Sequence, residues 1–162
     1  MKIKIFSVGG TIDKVYFDQL SNYQVGGPSI RDILENLPLN LEYEIVSLIR
    51  KDSLDMTDED RELVYHAVAQ DPARRILITH GTDTMVETAK RLLDIQGKVI
   101  VFTGAMEPAG FKNSDAVFNV GCAIGAIQQV DEGIYIAMNG RIYHPNQVRK
   151  NRDAGRFEEI EA

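Results

Sequence analysis

At 162 residues and a formal net charge of -6, the chain fits one domain able to bury a full core, and two full domains are not expected. Its 18 Lys and Arg against 24 Asp and Glu exclude nucleic acid or an anionic membrane as main partner, since both demand clustered cations. The single cysteine, Cys122, rules out an internal disulfide and sits in an apolar helical stretch where burial is expected.

The first residues, Met1-Lys2-Ile3-Lys4-Ile5-Phe6, alternate as a strand does and run into the turn Gly9-Gly10-Thr11-Ile12. Neither a secretory leader nor a membrane span is expected there, and the cytoplasm is the expected address. Residues 13–27 follow as a long connection without obvious structure, the kind of loop that often covers a crevice. Apolar runs at 43–49, 76–78, 99–103 and 134–138 read as further strands. Helical patterns lie between them at 29–37, 57–69, 85–95 and 115–128, the second opening on the capping signature Thr57-Asp58-Glu59-Asp60. This alternation predicts an α/β domain with a doubly wound, mostly parallel sheet and helices on both faces, a flavodoxin-like three-layer arrangement over residues 1–138. Residues 139–162 read as a polar tail packed on or extending that domain, with a turn at Asn139-Gly140 and cations at Arg149, Lys150 and Arg152.

Two hydroxyl-bearing turns at strand ends dominate the chemistry. Thr79-His80-Gly81-Thr82-Asp83-Thr84 follows one strand and Gly9-Gly10-Thr11 another, and ligands of open α/β sheets bind at such ends. A threonine hydroxyl is a poor nucleophile until a base or cation within hydrogen-bond reach removes or loosens its proton. Thr11 is one candidate, with capping of the next segment as the alternative. The glycines beside it let a ligand approach bare amides. Tyr23 can reach Thr11 from the connecting loop or simply face solvent. Thr82 and Asp83 are expected to open a helix, either serving a developing negative charge or capping the helix. Lys150 can lower the proton affinity of a nearby hydroxyl, or remain solvated in the tail. His80 has the side chain of a general base, yet its place at a strand end favours a buried structural role. No cofactor and no metal is expected: the three histidines and one cysteine lack ligand spacing, and neither GxGxxG nor a Walker loop occurs.

Taken together, Gly9-Gly10-Thr11-Ile12, Ser21-Asn22-Tyr23, Asp52-Ser53-Leu54-Asp55-Met56-Thr57, Thr79 to Met85 with Glu87-Thr88-Ala89, and Phe102-Thr103-Gly104-Ala105-Met106 resemble the bacterial-type L-asparaginase/glutaminase family. The resemblance implies an amidohydrolase acting on asparagine or a related small amide. It makes Thr11 the nucleophile, activated by Tyr23, and groups Thr82, Asp83 and Lys150 as a second catalytic set. Ser53 and Asp83 would hold the substrate's α-carboxylate and α-amine, with Gly10 and Ala105 lining the pocket. Val148-Arg149-Lys150-Asn151-Arg152 departs from the family's Lys-Thr context at the lysine. Members of the family are two-domain chains whose site a neighbouring subunit completes, so a stand-alone N-terminal domain acting as a homo-oligomer is expected. The alternative is an amino-acid-binding or regulatory protein that keeps the pocket without turnover.

Overall fold

The computed structural model describes residues 1–16 and 23–161. Ser21 and Asn22 of the second motif, with the rest of residues 17–22 of the loop expected to cover the crevice, lie outside them. Strand β1 (Lys2–Gly9) leads through a 3-10 turn at Thr11–Asp13 into a small hairpin of β2 (Lys14–Tyr16) and β3 (Tyr23–Val25). Then come α1 (Ser29–Glu35), β4 (Glu42–Lys51), a 3-10 turn at Ser53–Asp55, α2 (Asp58–Gln70), β5 (Arg75–Thr79), α3 (Met85–Arg91), β6 (Val99–Thr103), α4 (Ala116–Ile127) and β7 (Gly133–Met138). The chain finishes with β8 (Arg141–Tyr143), β9 (Val148–Asn151) and β10 (Arg156–Glu159).

The central sheet has six strands in the order β4-β1-β5-β6-β7-β8, parallel except for the last pair. Leaving out the hairpin, this is the flavodoxin-like order, and the winding reverses between β1 and β5. Strands buried on both faces explain the near-continuous apolar runs: Ile76, Leu77 and Ile78 are fully buried, as are Ile100, Val101 and Phe102. Because strand side chains alternate, Phe6, Ile76, Ile78, Ile100 and Phe102 join a core under α2 and α3, while Ile3, Ile5, Leu77, Val99 and Val101 pack against α1 and α4. One helix pair covers each face.

Local signals act where they are read. Thr57 caps α2 in a capping box, accepting from the Asp60 amide while the Asp60 carboxylate accepts from the Thr57 amide. Asn139 and Gly140 take φ of 54° and 76°, the conformation that joins β7 to β8 through a two-residue turn.

Three expectations need correction. Part of the loop read as structureless is the β2–β3 hairpin, whose residues pair in register from Lys14↔Val25 to Tyr16↔Tyr23. The segment read as a polar tail holds three strands, and Tyr143, Val148 and Phe157 are buried in the main core. Val148 and Phe157 each stand alone between polar residues and Tyr143 has only Ile142 beside it, which hides them from periodicity. Cys122 is only half-buried: α4 buries Ala116, Val120, Ala123 and Ile127, leaving Cys122 on its shoulder and Val117 and Phe118 exposed. None of the helices among the described residues is long and apolar enough to cross a membrane.

Candidate active site

The Thr11 turn, the Thr79–Thr84 loop and the Ser53 turn meet at the β1/β5 reversal. Gly9 and Gly10 adopt φ of 92° and 89°, a region open to glycine and costly for residues with a Cβ. Space makes the second demand: a Cβ on Gly10 would lie 2.3 Å from the Cα of Gly81. A Cβ on Gly81 would in turn lie 2.5 Å from the Ser53 Cβ. Gly10 therefore meets Gly81 backbone to backbone, Gly81 meets the Ser53 side chain, and glycine is what lets the three turns approach. The Gly10 amide donates to the Lys51 carbonyl (2.9 Å), joining the first turn to the end of β4. A fourth turn closes the group, because a Cβ on Gly104 would sit 2.3 Å from the His80 carbonyl oxygen. Ala105, beside it, is buried, and the Asn119 side-chain Nδ2 donates to the Gly104 carbonyl (2.9 Å).

Thr11 is half-buried on its 3-10 turn. Thr82 and Asp83 lie ahead of α3 and do not cap it; Thr84 occupies the cap position. The capping alternative for Thr82 and Asp83 does not hold, and Thr84 makes no capping hydrogen bond either, its hydroxyl donating to the Ser53 carbonyl. Thr82 is buried, and its hydroxyl accepts from Lys150 Nζ at 2.8 Å. The same ammonium donates to Asp83 Oδ1 at 2.8 Å, and Arg152 Nε lies 3.2 Å from that oxygen. Lys150 is thus no solvated tail residue, its side chain being only 15% exposed. A hydroxyl that accepts from an ammonium keeps its own proton to donate, so Thr82 can present an O–H toward a ligand while the cation polarises it. Arg152 is a contributor that sequence reasoning noted as a cation without giving it a part; no local pattern ties it to Asp83.

Ser53 is buried, accepts from the Thr84 amide at 3.2 Å through its hydroxyl, and accepts the Thr84 hydroxyl at its carbonyl at 2.9 Å. These bonds fasten the Ser53 turn to the Thr82 loop. Tyr23 is 47% exposed and lies edge-on to Tyr16 (centroids 5.4 Å apart) and tilted on Phe111 (6.1 Å).

Two buried titratable groups support the site from below. His80 is fully buried, and its Nδ1 lies 2.7 Å from the Gly81 carbonyl oxygen, which can only accept; Nδ1 therefore carries the proton and Nε2 accepts from the Thr88 hydroxyl at 2.8 Å. Burial, against the help of the Gly81 carbonyl and with the charge of Arg61, drops its pKa from 6.5 to about 4. It is a neutral structural histidine. Asp13 is 1% exposed, accepts from the Ser7 hydroxyl (2.9 Å) and the Ser29 amide (2.8 Å), and feels the more distant charge of Arg50. Desolvation outweighs these partners and lifts it from 3.8 to about 6.

The two shifts oppose one another. Asp13 binds its proton more tightly in the fold, so its contribution to stability is full below pH 3.8 and is lost as pH rises through about 6. His80 resists protonation in the fold, so its contribution is full above pH 6.5 and is lost as pH falls through about 4. Asp13→Asn keeps an acceptor for Ser29 and removes one side of this balance. Between pH 6 and pH 4, chemical denaturation should show the stability difference moving by about 2 kcal/mol in the parent's favour. A constant difference across that interval would mean that Asp13 titrates normally.

Comparison with known proteins agrees with this geometry. The family model described as Asparaginase, N-terminal, matches residues 2–160. L-asparaginase 2-3 of Saccharomyces cerevisiae is 35% identical over 158 residues, covering 86% of this chain and 42% of the yeast protein. Among solved structures, the thermostable L-asparaginase from Thermococcus kodakarensis superimposes with a TM-score of 0.84 at 26% identity, covering 99% of this chain and 51% of that one. The probable cytoplasmic L-asparaginase from Campylobacter jejuni gives 0.73 at 27% identity, covering 98% of this chain and 51% of that one. This chain spans about half the length of the relatives it matches. With its paired threonine turns at the sheet reversal, it belongs to the asparaginase family, as a counterpart of the N-terminal domain.

Proposed function

We propose that this chain hydrolyses the side-chain amide of L-asparagine, or of a related small amide, by way of a threonyl ester. The observation that carries this reading is the backbone contact of the Thr11 and Thr82 turns, with Lys150 on Thr82 and Asp83. In the first step Thr11 Oγ bonds to the amide carbon while its proton passes, through Tyr23, to the departing nitrogen; the C–N bond breaks and ammonia leaves. Free amides of the turns accept the negative charge that develops on the carbonyl oxygen. In the second step water adds to the ester carbon, Thr82 and Lys150 relay its proton, and the C–O bond to Thr11 breaks, restoring the hydroxyl. Ser53 and Asp83 hold the α-carboxylate and α-amine, with Gly10 and Ala105 against the substrate. Asp83 already balances Lys150 and Arg152, so an arriving ammonium group meets a carboxylate fixed in place. The protein acts in the cytoplasm, without metal or cofactor, and as a homo-oligomer in which a neighbouring copy shields the crevice.

A panel of amides including L-asparagine, L-glutamine and simple aliphatic amides, assayed for ammonia, tests the reaction. Release from L-asparagine at a saturable rate is the expected result. No release from any amide across pH 5 to 9 would overturn it. Light scattering should give a mass above that of one chain. The position of Tyr23 favours a second reading, amino-acid binding without turnover: its ring faces Tyr16 and Phe111 and is half open to solvent. That reading expects saturable binding of L-aspartate with no ammonia.

A further inference from the structure

We propose that Lys14 and Asp52 form a clasp that positions the β2–β3 hairpin, and Tyr23 with it, against the Ser53 turn. The inference deepens the amidohydrolase reading and rests on it for the use made of Tyr23; the clasp is a property of the hairpin. Strands β2 and β3 pair with each other and stand apart from the central sheet, so no strand of that sheet holds them by ladder hydrogen bonds. Two strands of three residues each have little stability of their own and depend on what ties them down. At its base the hairpin is tied by the Gly26 amide, which donates to the Asp13 carbonyl at 2.8 Å. Farther out, Lys14 Nζ lies 2.8 Å from Asp52 Oδ2, with side chains only 27% and 29% exposed. Asp52 uses its other oxygen to accept from the Leu54 amide at 3.0 Å, capping the Ser53–Asp55 turn. One carboxylate thus fixes the turn that carries Ser53 and grips the strand that leads toward Tyr23.

The pair spans an open groove of about 530 Å³ whose walls include Tyr23, Val25 and Arg50. Burial opposes the charge on Asp52, but the hydrogen bond from Lys14, the Leu54 amide and the field of Lys150 together hold its pKa below the ordinary value. Asp52 therefore senses both the hairpin cation and the cation that binds Thr82. Such a link suits a positioning pair: it touches no reacting atom, yet it sets the distance between the element bearing the activator and the turn bearing the substrate clamp.

The test is a double-variant cycle on the full chain with Lys14→Gln, Asp52→Asn and both together, read by amide hydrogen exchange at residues 14–16 and 23–25 and by ammonia release from L-asparagine. Asparagine at position 52 keeps the acceptor for Leu54, and each single variant should speed hairpin exchange about three- to tenfold. The double variant should be no faster than either single one, and Lys14→Arg should restore slow exchange. Where the parent turns over L-asparagine, kcat should fall by a similar factor with KM changed less. Unchanged exchange in the single variants, or additive effects in the double one, would overturn the clasp. Coupled loosening of the hairpin in a parent that releases no ammonia would uphold the clasp and remove the amidohydrolase reading.

Discussion

Thr11→Ala is expected to lower kcat for ammonia release from L-asparagine by about three orders of magnitude or more, because it deletes the oxygen proposed to form the acyl bond. Thr82→Ala should lose a comparable factor for a different reason. It leaves Thr11 in place but removes the hydroxyl that accepts from Lys150 Nζ at 2.8 Å, and with it the relay for the attacking water. The variants should therefore separate in a single-turnover experiment with an activated ester, where Thr82→Ala can still form the acyl-enzyme and Thr11→Ala cannot. Both should bind L-aspartate within a fewfold of the parent, since Ser53 and Asp83 are untouched. Ammonia release by Thr11→Ala at the parent rate would end its assignment as the nucleophile. On the proposed mechanism the two residues act together, so the loss in the double variant should fall well short of the product of the single losses.

Gly10→Ala should be strongly destabilising. The added methyl would lie 2.3 Å from the Gly81 Cα and 2.4 Å from its nitrogen, at a φ of +89° that already strains any residue with a Cβ. Neither atom belongs to a flexible side chain that can swing away, so the Thr11 turn and the Thr82 loop must part. Left-handed strain and overpacking together amount to about 3 to 5 kcal/mol. The control is Gly155→Ala, at φ +63° with nothing within 4 Å, which should cost only ~1 to 2 kcal/mol from backbone strain. Chemical denaturation of the pair isolates the contact: equal losses would mean that the two turns do not meet, and the shared site would dissolve with them.

The alternation of apolar runs with helical patterns predicted the doubly wound sheet, since a strand buried on both faces and a helix buried on one leave different periods in the chain. Motifs set at strand ends placed the candidate groups at one edge of the sheet, because βα turns of parallel strands must all open on one side of it. Backbone demands were legible too: Gly9-Gly10, the Thr57 capping box and Asn139-Gly140 each answer a local need that few residues meet. The hairpin was not legible, for three-residue strands fall below any useful window of alternation. Val148 and Phe157 escaped notice for a related reason, each being a lone apolar residue among polar neighbours, and Tyr143 because the apolar run Ile142-Tyr143 is only two residues long.

Among the site residues, the two threonine turns could be found one at a time from the sequence, but their contact follows from the placement of β5 beside β1. Lys150 meets Thr82 across 68 positions of chain, and Arg152 joins Asp83 by the same route. Local composition and periodicity determined the strands, the helices, the turns and the threonines that stand at the strand ends. Tertiary structure alone decided which side chains share a charge, which carboxylate lies buried at Asp13, and how Lys14 comes to Asp52. The reason is physical: a segment's period records which face it buries, whereas a long-range ion pair depends on strand order and loop path, which no single segment records.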